Sequence, residues 1–145
     1  MRIVKYPNNK LSKPCIDVSK VDAGKVASKL IMRTINQRKG ACGFAANQVG
    51  MKERIFTALI YGKWKVFINP VIFSKSATTF LSTESCLSIP GKEYNVMRHD
   101  AIVLKYIDIN GKKRTDGFRD FNAVVIQHEV DHLNGITIAD EGELI

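Results

Sequence analysis

The chain has 145 residues and a mass of 16.2 kDa, the size of one ordinary domain. Hydrophobic residues make up 45% and charged residues 25%, a balance that excludes a disordered chain. Lys and Arg outnumber Asp and Glu by 22 to 14, but they are scattered, so the charge of +8 favours solvated side chains over a dedicated polyanion-binding face. No apolar run approaches the ~20 residues of a membrane helix, which excludes a membrane-spanning chain.

Three cysteines cannot all pair with one another, and the N-terminal residues do not read as a secretory leader. The sequence therefore predicts a cytoplasmic protein with one domain over residues 1–145.

The first predicted element is a helix capped by Ser19 or Asp22. Its apolar residues recur at the spacing of one buried helix face: Val26, Ala27, Leu30, Ile31 and Ile35. Gly40 is the predicted C-cap, directly after the basic pair Arg38-Lys39. A loop rich in glycine and alanine follows over residues 40–50.

Strand-like runs follow at residues 54–60, 65–73, 78–83, 93–98 and 101–109. Asn110-Gly111 indicates a hairpin into a return strand at residues 113–118. The last clear element is a helix over residues 120–133, capped by Asp120 or Asn122 and ended by Asn134-Gly135. This order predicts an α+β fold in which mostly antiparallel strands pack around a central helix.

That central helix carries His128-Glu129-Val130-Asp131-His132, the HExxH pattern. Histidines at positions i and i+4 project from one face of a helix and can share a metal ion. Glu129, next to the first histidine, can act as a general base for an attacking water. The helix could instead carry two histidines on a packed face, but an unpaired His or Glu in the core is costly, which favours the metal interpretation.

A catalytic metal usually has three protein ligands and one open position. A zincin protease would take its third ligand downstream, where Asp140, Glu141 and Glu143 lie near the end. The better donor is upstream: Cys86 lies between strand-like segments with a predicted Pro90-Gly91 turn just beyond, although a lone cysteine by itself leaves the third ligand open. The other two cysteines, Cys15 and Cys42, are interpreted as small buried hydrophobes or as bystanders without a role in the site.

Three segments occur in order: Gly-Phe-Ala-Ala-Asn-Gln-Val-Gly at 43–50, Glu-Ser-Cys-Leu-Ser at 84–88 and Gln-His-Glu-Val-Asp-His at 127–132. They resemble the GxGLAAxQ, EGCLS and QHExDH motifs of peptide deformylases. The likeness extends to Phe67-Ile68-Asn69-Pro70 and to the first helix, and so covers nearly the whole chain. The resemblance implies removal of the formyl group from N-formylmethionyl peptides by a metal held by one Cys and two His.

Carried over by position, the resemblance assigns Cys86, His128 and His132 as metal ligands and Glu129 as the general acid–base catalyst. Fe(II) is the implied ion, with Zn(II), Ni(II) or Co(II) as substitutes. The oxyanion donors would be the Gln48 amide and the Leu87 N–H. The expected substrate-binding residues are Gly43, whose missing side chain would let a peptide lie alongside, and the apolar Phe44, Phe121, Val124 and Val125.

The sequence departs from the family motifs at three positions. Ala41 and Ser85 replace glycines, and Phe44 replaces a leucine, which puts local backbone conformation and pocket shape in question. The end soon after residue 138 is similar to phage-encoded and some organellar members, without the long C-terminal helix that docks typical bacterial members on the ribosome. A monomer is expected, with at most weak electrostatic ribosome contact and no membrane partner; its cytoplasm would be the host's if the chain is phage-encoded.

Two other functions remain open on the residues alone. A zincin-like protease would use the same helix with a third ligand other than Cys86. A catalytically inactive module would keep the fold and use the charge of +8 to bind a ribosome or nucleic acid. The retained base, amide donor and three ligands favour an active deformylase over both.

Overall fold

The computed structural model describes residues 2–35 and 40–145. Two short 3₁₀ helices lie at Asn9–Ser12 and Ala46–Val49. The other elements, in chain order, are α1 Val21–Ile35, β1 Gly43–Ala45, β2 Ile55–Ile60, β3 Lys63–Lys75, β4 Thr79–Cys86, β5 Ile89–His99, β6 Ala101–Ile107, β7 Lys113–Arg119, α2 Asp120–Leu133, α3 Ile138–Glu141 and β8 Glu143–Leu144. The predicted α+β class is confirmed.

The named strands form two antiparallel sheets. One has five strands in the order β1-β2-β3-β6-β7, and the other has three in the order β4-β5-β8. The alternating side chains of β2 explain why its sequence is apolar at every position except Thr57. Phe56, Ala58 and Ile60 pack in the core that includes α2, whereas Ile55 packs with α1 residues on the other face. A strand covered by a helix on each face is therefore mostly apolar on both faces.

Helix α2 lies between the two sheets, in contact with strands of the larger sheet and with β5 of the smaller one. Its Gln127 fixes this position. The Gln127 amide accepts a hydrogen bond from His99 N (3.0 Å) and donates one to His99 O (2.8 Å), at the end of β5. The HExxH segment is therefore held in the interior, as the prediction of a central helix requires. None of the helices among the described residues is long and apolar enough to span a membrane.

The predicted apolar face of α1 is partly wrong. Val26 is 61% exposed, and the buried stripe includes residues at i, i+3, i+4 and i+7: Gly24, Ala27, Ser28 and Ile31, of which Ala27 and Ile31 are predicted. A Cβ at Gly24 would lie 3.1 Å from Ile68 Cδ1, so close approach of α1 to the sheet selects small residues over Val26. The Ile35 side chain and the Arg38-Lys39 pair lie outside the described residues.

Two predicted turn and cap signals differ in the structure. The β4–β5 turn is Leu87-Ser88, whereas Pro90 and Gly91 already belong to β5. The β4–β5 pairing register shifts between Glu84 and Cys86, and Gly91 has a φ of 75° within β5. The Pro-Gly pair therefore marks an irregularity inside the strand pair rather than the turn.

Neither predicted side-chain cap of α2 is observed, since Arg119 occupies the cap position without a side-chain hydrogen bond. Asp120 is the first helical residue, and its N–H donates to Asp100 O instead (2.8 Å). The predicted C-terminal end is confirmed, with Asn134 as the cap. Gly135 follows at a φ of 79°, where a Cβ would lie 2.6 Å from Ser12 O, so only glycine fits.

Candidate active site

The structure brings the three predicted ligands together. Cys86 ends β4, while His128 and His132 occupy successive turns of α2. One ligand atom from each residue lies within 4.8 Å of the others, and Cys86 Sγ is 3.3 Å from His132 Nε2. Among the described residues, these three side chains form a group with the spacing that a bound metal ion needs. A thiol and two imidazoles suit a transition metal rather than Ca²⁺ or Mg²⁺.

The two histidines of this cluster have opposite pKa shifts. Burial lowers the pKa of His132 well below its ordinary value, which leaves the neutral imidazole that metals bind. Burial also opposes a proton on His128, yet hydrogen bonds to Cys86 and Glu84 hold its pKa above the ordinary value. The residues present fit a bound metal ion, because one thiol and two imidazoles converge within the distance that a single ion spans.

An ion network behind His128 orients the imidazole. Glu84 Oε1 is 2.8 Å from His128 Nδ1, which leaves Nε2 for the ion. Arg98 donates to both oxygens of Glu84 (2.8 Å each) and also to Asp131 (2.6 Å) and Glu141 (3.1 Å). Burial opposes ionisation of Glu84, but the hydrogen bonds from Arg98 and His128 lower its pKa to about 2. The buried carboxylate is therefore charged and fixed.

None of the sequence predictions included this network. Glu84 lies inside the motif at 84–88 and Asp131 inside the motif at 127–132, so the sequence carried a signal for these two residues. Arg98 carries no local signal, because its position on β5 becomes relevant only when the smaller sheet packs against α2.

The alternative third ligands of a protease are engaged elsewhere. Glu141 pairs with Arg98, and Asp140 Oδ2 accepts a hydrogen bond from Thr137 N (2.7 Å) at the start of α3. Glu143 is exposed on β8. None of the three belongs to the ligand cluster, whose third member is Cys86.

Glu129 has the surroundings of a proton carrier. Its side chain is only 4% exposed, and its Oε1 has no hydrogen-bond partner among the described residues. Burial raises its pKa to about 7, so the carboxyl group can both accept and release a proton near neutral pH. Gly43 makes room for it, because a Cβ there would lie 2.6 Å from Glu129 Oε2.

Gln48 and Leu87 lie beside the same cluster. Gln48 Oε1 accepts a hydrogen bond from Ala45 N (2.9 Å), which fixes the side-chain amide. Its Nε2 donates to Ser88 Oγ (3.1 Å) and lies 3.6 Å from Cys86 Sγ. Leu87 follows Cys86 directly and lines the cleft. The Gln48 amide thus lies next to the thiol, and Leu87 follows the thiol in the chain.

A cleft of about 1060 Å³ opens over these residues. β1 and β4 are edge strands of their respective sheets, and residues of both line the cleft. Four of the five predicted substrate-binding residues line it as well: Gly43, Phe121, Val124 and Val125. Phe121 is 62% exposed, as a wall residue open to a ligand would be.

Two side-chain assignments from the sequence need correction. Phe44 is fully buried in the core that contains α1 residues and does not line the cleft, since alternate strand residues point to opposite faces. Cys42, just before β1, is only half-buried and lines the cleft.

The glycine replacements at positions 41 and 85 do not force an unusual backbone. Tyr61, Asn69 and Asp120 are the non-glycine residues with positive φ among those described, and neither Ala41 nor Ser85 is among them. Ala41 is half-buried and packs against the core under α1, whereas Ser85 is exposed on the cleft wall. Both side chains therefore occur on ordinary backbone.

Comparisons with known proteins agree along the chain. The family model for polypeptide deformylase matches residues 1–143. The peptide deformylase of Borreliella burgdorferi is 38% identical over 144 residues, covering 97% of this chain and 86% of the relative. A crystal structure of the deformylase of Vibrio parahaemolyticus bacteriophage VP16T in complex with actinonin is 30% identical, with a TM-score of 0.89, over 95% of this chain and 100% of that one.

A Met-Ala-Ser-bound structure of the Acinetobacter baumannii class I type b peptide deformylase is 28% identical, with a TM-score of 0.90, over 97% of both chains. Motif order, sheet arrangement and ligand set are thus consistent with a single family assignment. The chain belongs to the polypeptide deformylase family, the metal-dependent hydrolases that remove the N-terminal formyl group from nascent peptides.

Proposed function

We propose that this chain hydrolyses the formamide of N-formylmethionyl peptides, with Glu129 as acid–base and Gln48 and Leu87 as oxyanion donors. The observation that carries the proposal is the buried Glu129 carboxyl group, whose Oε1 has no partner among the described residues although the ligand cluster adjoins it. An unpaired buried oxygen is costly unless a reacting group or water meets it.

Cys86, His128 and His132 would hold the metal ion. When bound, the ion supplies Lewis-acid polarisation of the formyl oxygen and of the attacking water. We propose Fe(II) as the physiological ion, with Zn(II), Ni(II) or Co(II) as substitutes. One thiolate and two neutral imidazoles give a soft site of net charge −1, and such N/S ligand sets accept several divalent transition metals.

Glu129 would carry the proton through both halves of the reaction. As a carboxylate it accepts a proton from the water whose oxygen bonds to the formyl carbon. The same carboxyl group then donates that proton to the amine nitrogen as the C–N bond breaks, giving formate and a free amino terminus. Its pKa of about 7 suits both steps.

The two N–H donors would act on the charge that develops on the formyl oxygen. Gln48 Nε2 and the Leu87 N–H come from different segments, and neither needs to reorganise if its surroundings hold it in place. The hydrogen bond from Ala45 N to Gln48 Oε1 does this for the amide, because it fixes which end of the side chain carries the donor.

The cleft offers a place for an extended peptide. Unpaired edge strands recruit a further strand through their main-chain groups, and here β1 and β4 both present an edge to the cleft. We assign the methionine side chain to the apolar wall formed by Phe121, Val124 and Val125. The Met-Ala-Ser bound by the Acinetobacter relative is a peptide that begins with methionine.

Formate release from formyl-Met-Ala-Ser tests the function directly. We expect turnover of this peptide by metal-loaded protein, with no peptide-bond cleavage in the non-formylated twin or in casein. Casein cleavage would point to the protease instead. Metal-loaded, folded protein that releases no formate would support the inactive binding module.

Gly43→Ala should reduce turnover strongly, because the new Cβ would collide with Glu129 Oε2 at 2.6 Å. Displacing a reacting group by about 1 Å can cost ~10²-fold in rate, so we expect a loss of that order in kcat. Gly117→Ala on β7 is the matched control, since the nearest atom to its Cβ is 3.9 Å away. Equal activity of the two variants would show that the Glu129 carboxylate is free to move.

We further propose that the chain works as a monomer in the compartment of protein synthesis, as a single domain over residues 1–145. Its contact with ribosomes would be electrostatic, through dispersed Lys and Arg side chains, in keeping with the charge of +8. Co-sedimentation with ribosomes should then occur at low salt and disappear at high salt. Binding that is indifferent to salt would contradict this mode of contact.

A further inference from the structure

Three residues before α1 form hydrogen bonds to the backbone of Gln48 and of the Leu87-Ser88 turn, which carry the two proposed oxyanion donors. Val4 N–H donates to Gln48 O (2.7 Å), and Tyr6 N–H donates to Ser88 O (2.8 Å). Between these two residues, Lys5 Nζ donates to Leu87 O (3.2 Å). Three consecutive residues near the N-terminus thus hold a backbone group of Gln48 and both carbonyls of the Leu87-Ser88 turn.

The Leu87-Ser88 turn needs such support. It is a two-residue connection between β4 and β5 on the cleft wall, and its first residue carries the donor N–H. The N–H and the C=O of Leu87 flank one Cα, so fixing the carbonyl limits rotation about the bonds that aim the N–H. Without Lys5, the Leu87 carbonyl would depend on solvent at an exposed site.

Of these three residues, Lys5 is the one whose contribution depends on its side chain. Val4 and Tyr6 act through main-chain groups that any residue except proline supplies. A charged donor makes a stronger hydrogen bond than a neutral one. Lys5 also lines the cleft, so its charge lies on the wall that faces the reacting groups.

We propose that Lys5 is a positioning residue for the oxyanion donor, acting through the carbonyl of Leu87. The inference rests on the proposed role of the Leu87 N–H. Lys5 holds the turn so that the donor is in place before the reaction begins, and the Val4 and Tyr6 hydrogen bonds couple that turn to Gln48. The donor acts on charge that develops during the reaction, so Lys5 affects kcat rather than substrate binding.

The test compares Lys5→Met, which keeps the aliphatic length and removes the donor, with Lys5→Arg, which keeps a charged donor. Lys63→Met is the matched control, an exposed lysine at the start of β3 away from the cleft. With formyl-Met-Ala-Ser, Lys5→Met should lose about 3- to 10-fold in kcat with KM changed less than about twofold, the size of one lost hydrogen bond. Lys5→Arg should recover most of the rate, and Lys63→Met should match wild type.

Amide hydrogen exchange in the zinc-loaded protein gives a second measurement, independent of turnover. Exchange at Leu87 should be faster in Lys5→Met than in wild type or Lys63→Met, with the melting temperature unchanged. Wild-type kcat and exchange in Lys5→Met would overturn the proposal, and so would a rise in KM alone, which would make Lys5 a substrate contact. Absence of formate release by wild-type protein would instead count against the proposed function, while the exchange result would still decide the positioning of Leu87.

Discussion

Glu129→Gln should lower the turnover of formyl-Met-Ala-Ser by at least the ~10²–10⁴-fold that general acid–base catalysis usually supplies. Glutamine keeps the size of the side chain but cannot accept the proton of the attacking water. The substitution also removes a buried carboxyl group whose pKa burial raises to about 7, so it relieves a desolvation cost. The variant should therefore keep its fold and its metal.

Metal content, melting temperature and binding of actinonin, the compound held by the phage relative, distinguish a catalytic from a structural role. All three should stay near wild type in Glu129→Gln. Glu93→Gln, on an exposed position of β5, controls for the loss of one negative charge. If Glu129→Gln loses its metal, the residue is a ligand or a structural group; if it keeps wild-type activity, another group activates the water.

Cys86→Ser should lose most of the bound metal and, with it, activity. A serine hydroxyl is a much weaker ligand than a thiolate for a transition metal, and two imidazoles alone leave the ion one ligand short. Metal analysis of protein purified without oxygen measures the effect. We expect one transition metal ion per wild-type chain, with an iron form that air oxidises and a nickel or zinc form that persists.

The other two cysteines are natural controls. Cys15 and Cys42 are half-buried and lie outside the ligand cluster, so Cys15→Ser and Cys42→Ser should retain the metal. Cys42→Ser is the stricter control, because Cys42 lines the same cleft as Cys86. Equal metal retention in all three variants would remove Cys86 from the site.

The sequence determined the parts of the site that depend on local periodicity. Helix geometry places residues i and i+4 on one face, so His128 and His132 were identifiable as a pair, with Glu129 beside them. The apolar run of β2, the Asn110-Gly111 hairpin and the Gly135 helix end are local signals of the same kind. The short elements β1, α3 and β8 were missed, because a few residues carry too little pattern to distinguish strand or helix from loop.

Only the tertiary structure decided which distant residues meet. Arg98 reaches Glu84 across the β4–β5 pair and reaches Asp131 because the smaller sheet packs against α2, and no spacing in the sequence encodes that packing. Phe44 belongs to the core rather than the cleft because the alternation of β1 fixes its face once the strand pairs with β2. Gly43 is a glycine because the Glu129 carboxylate occupies the space of its side chain, a contact across 86 residues that long-range packing alone creates.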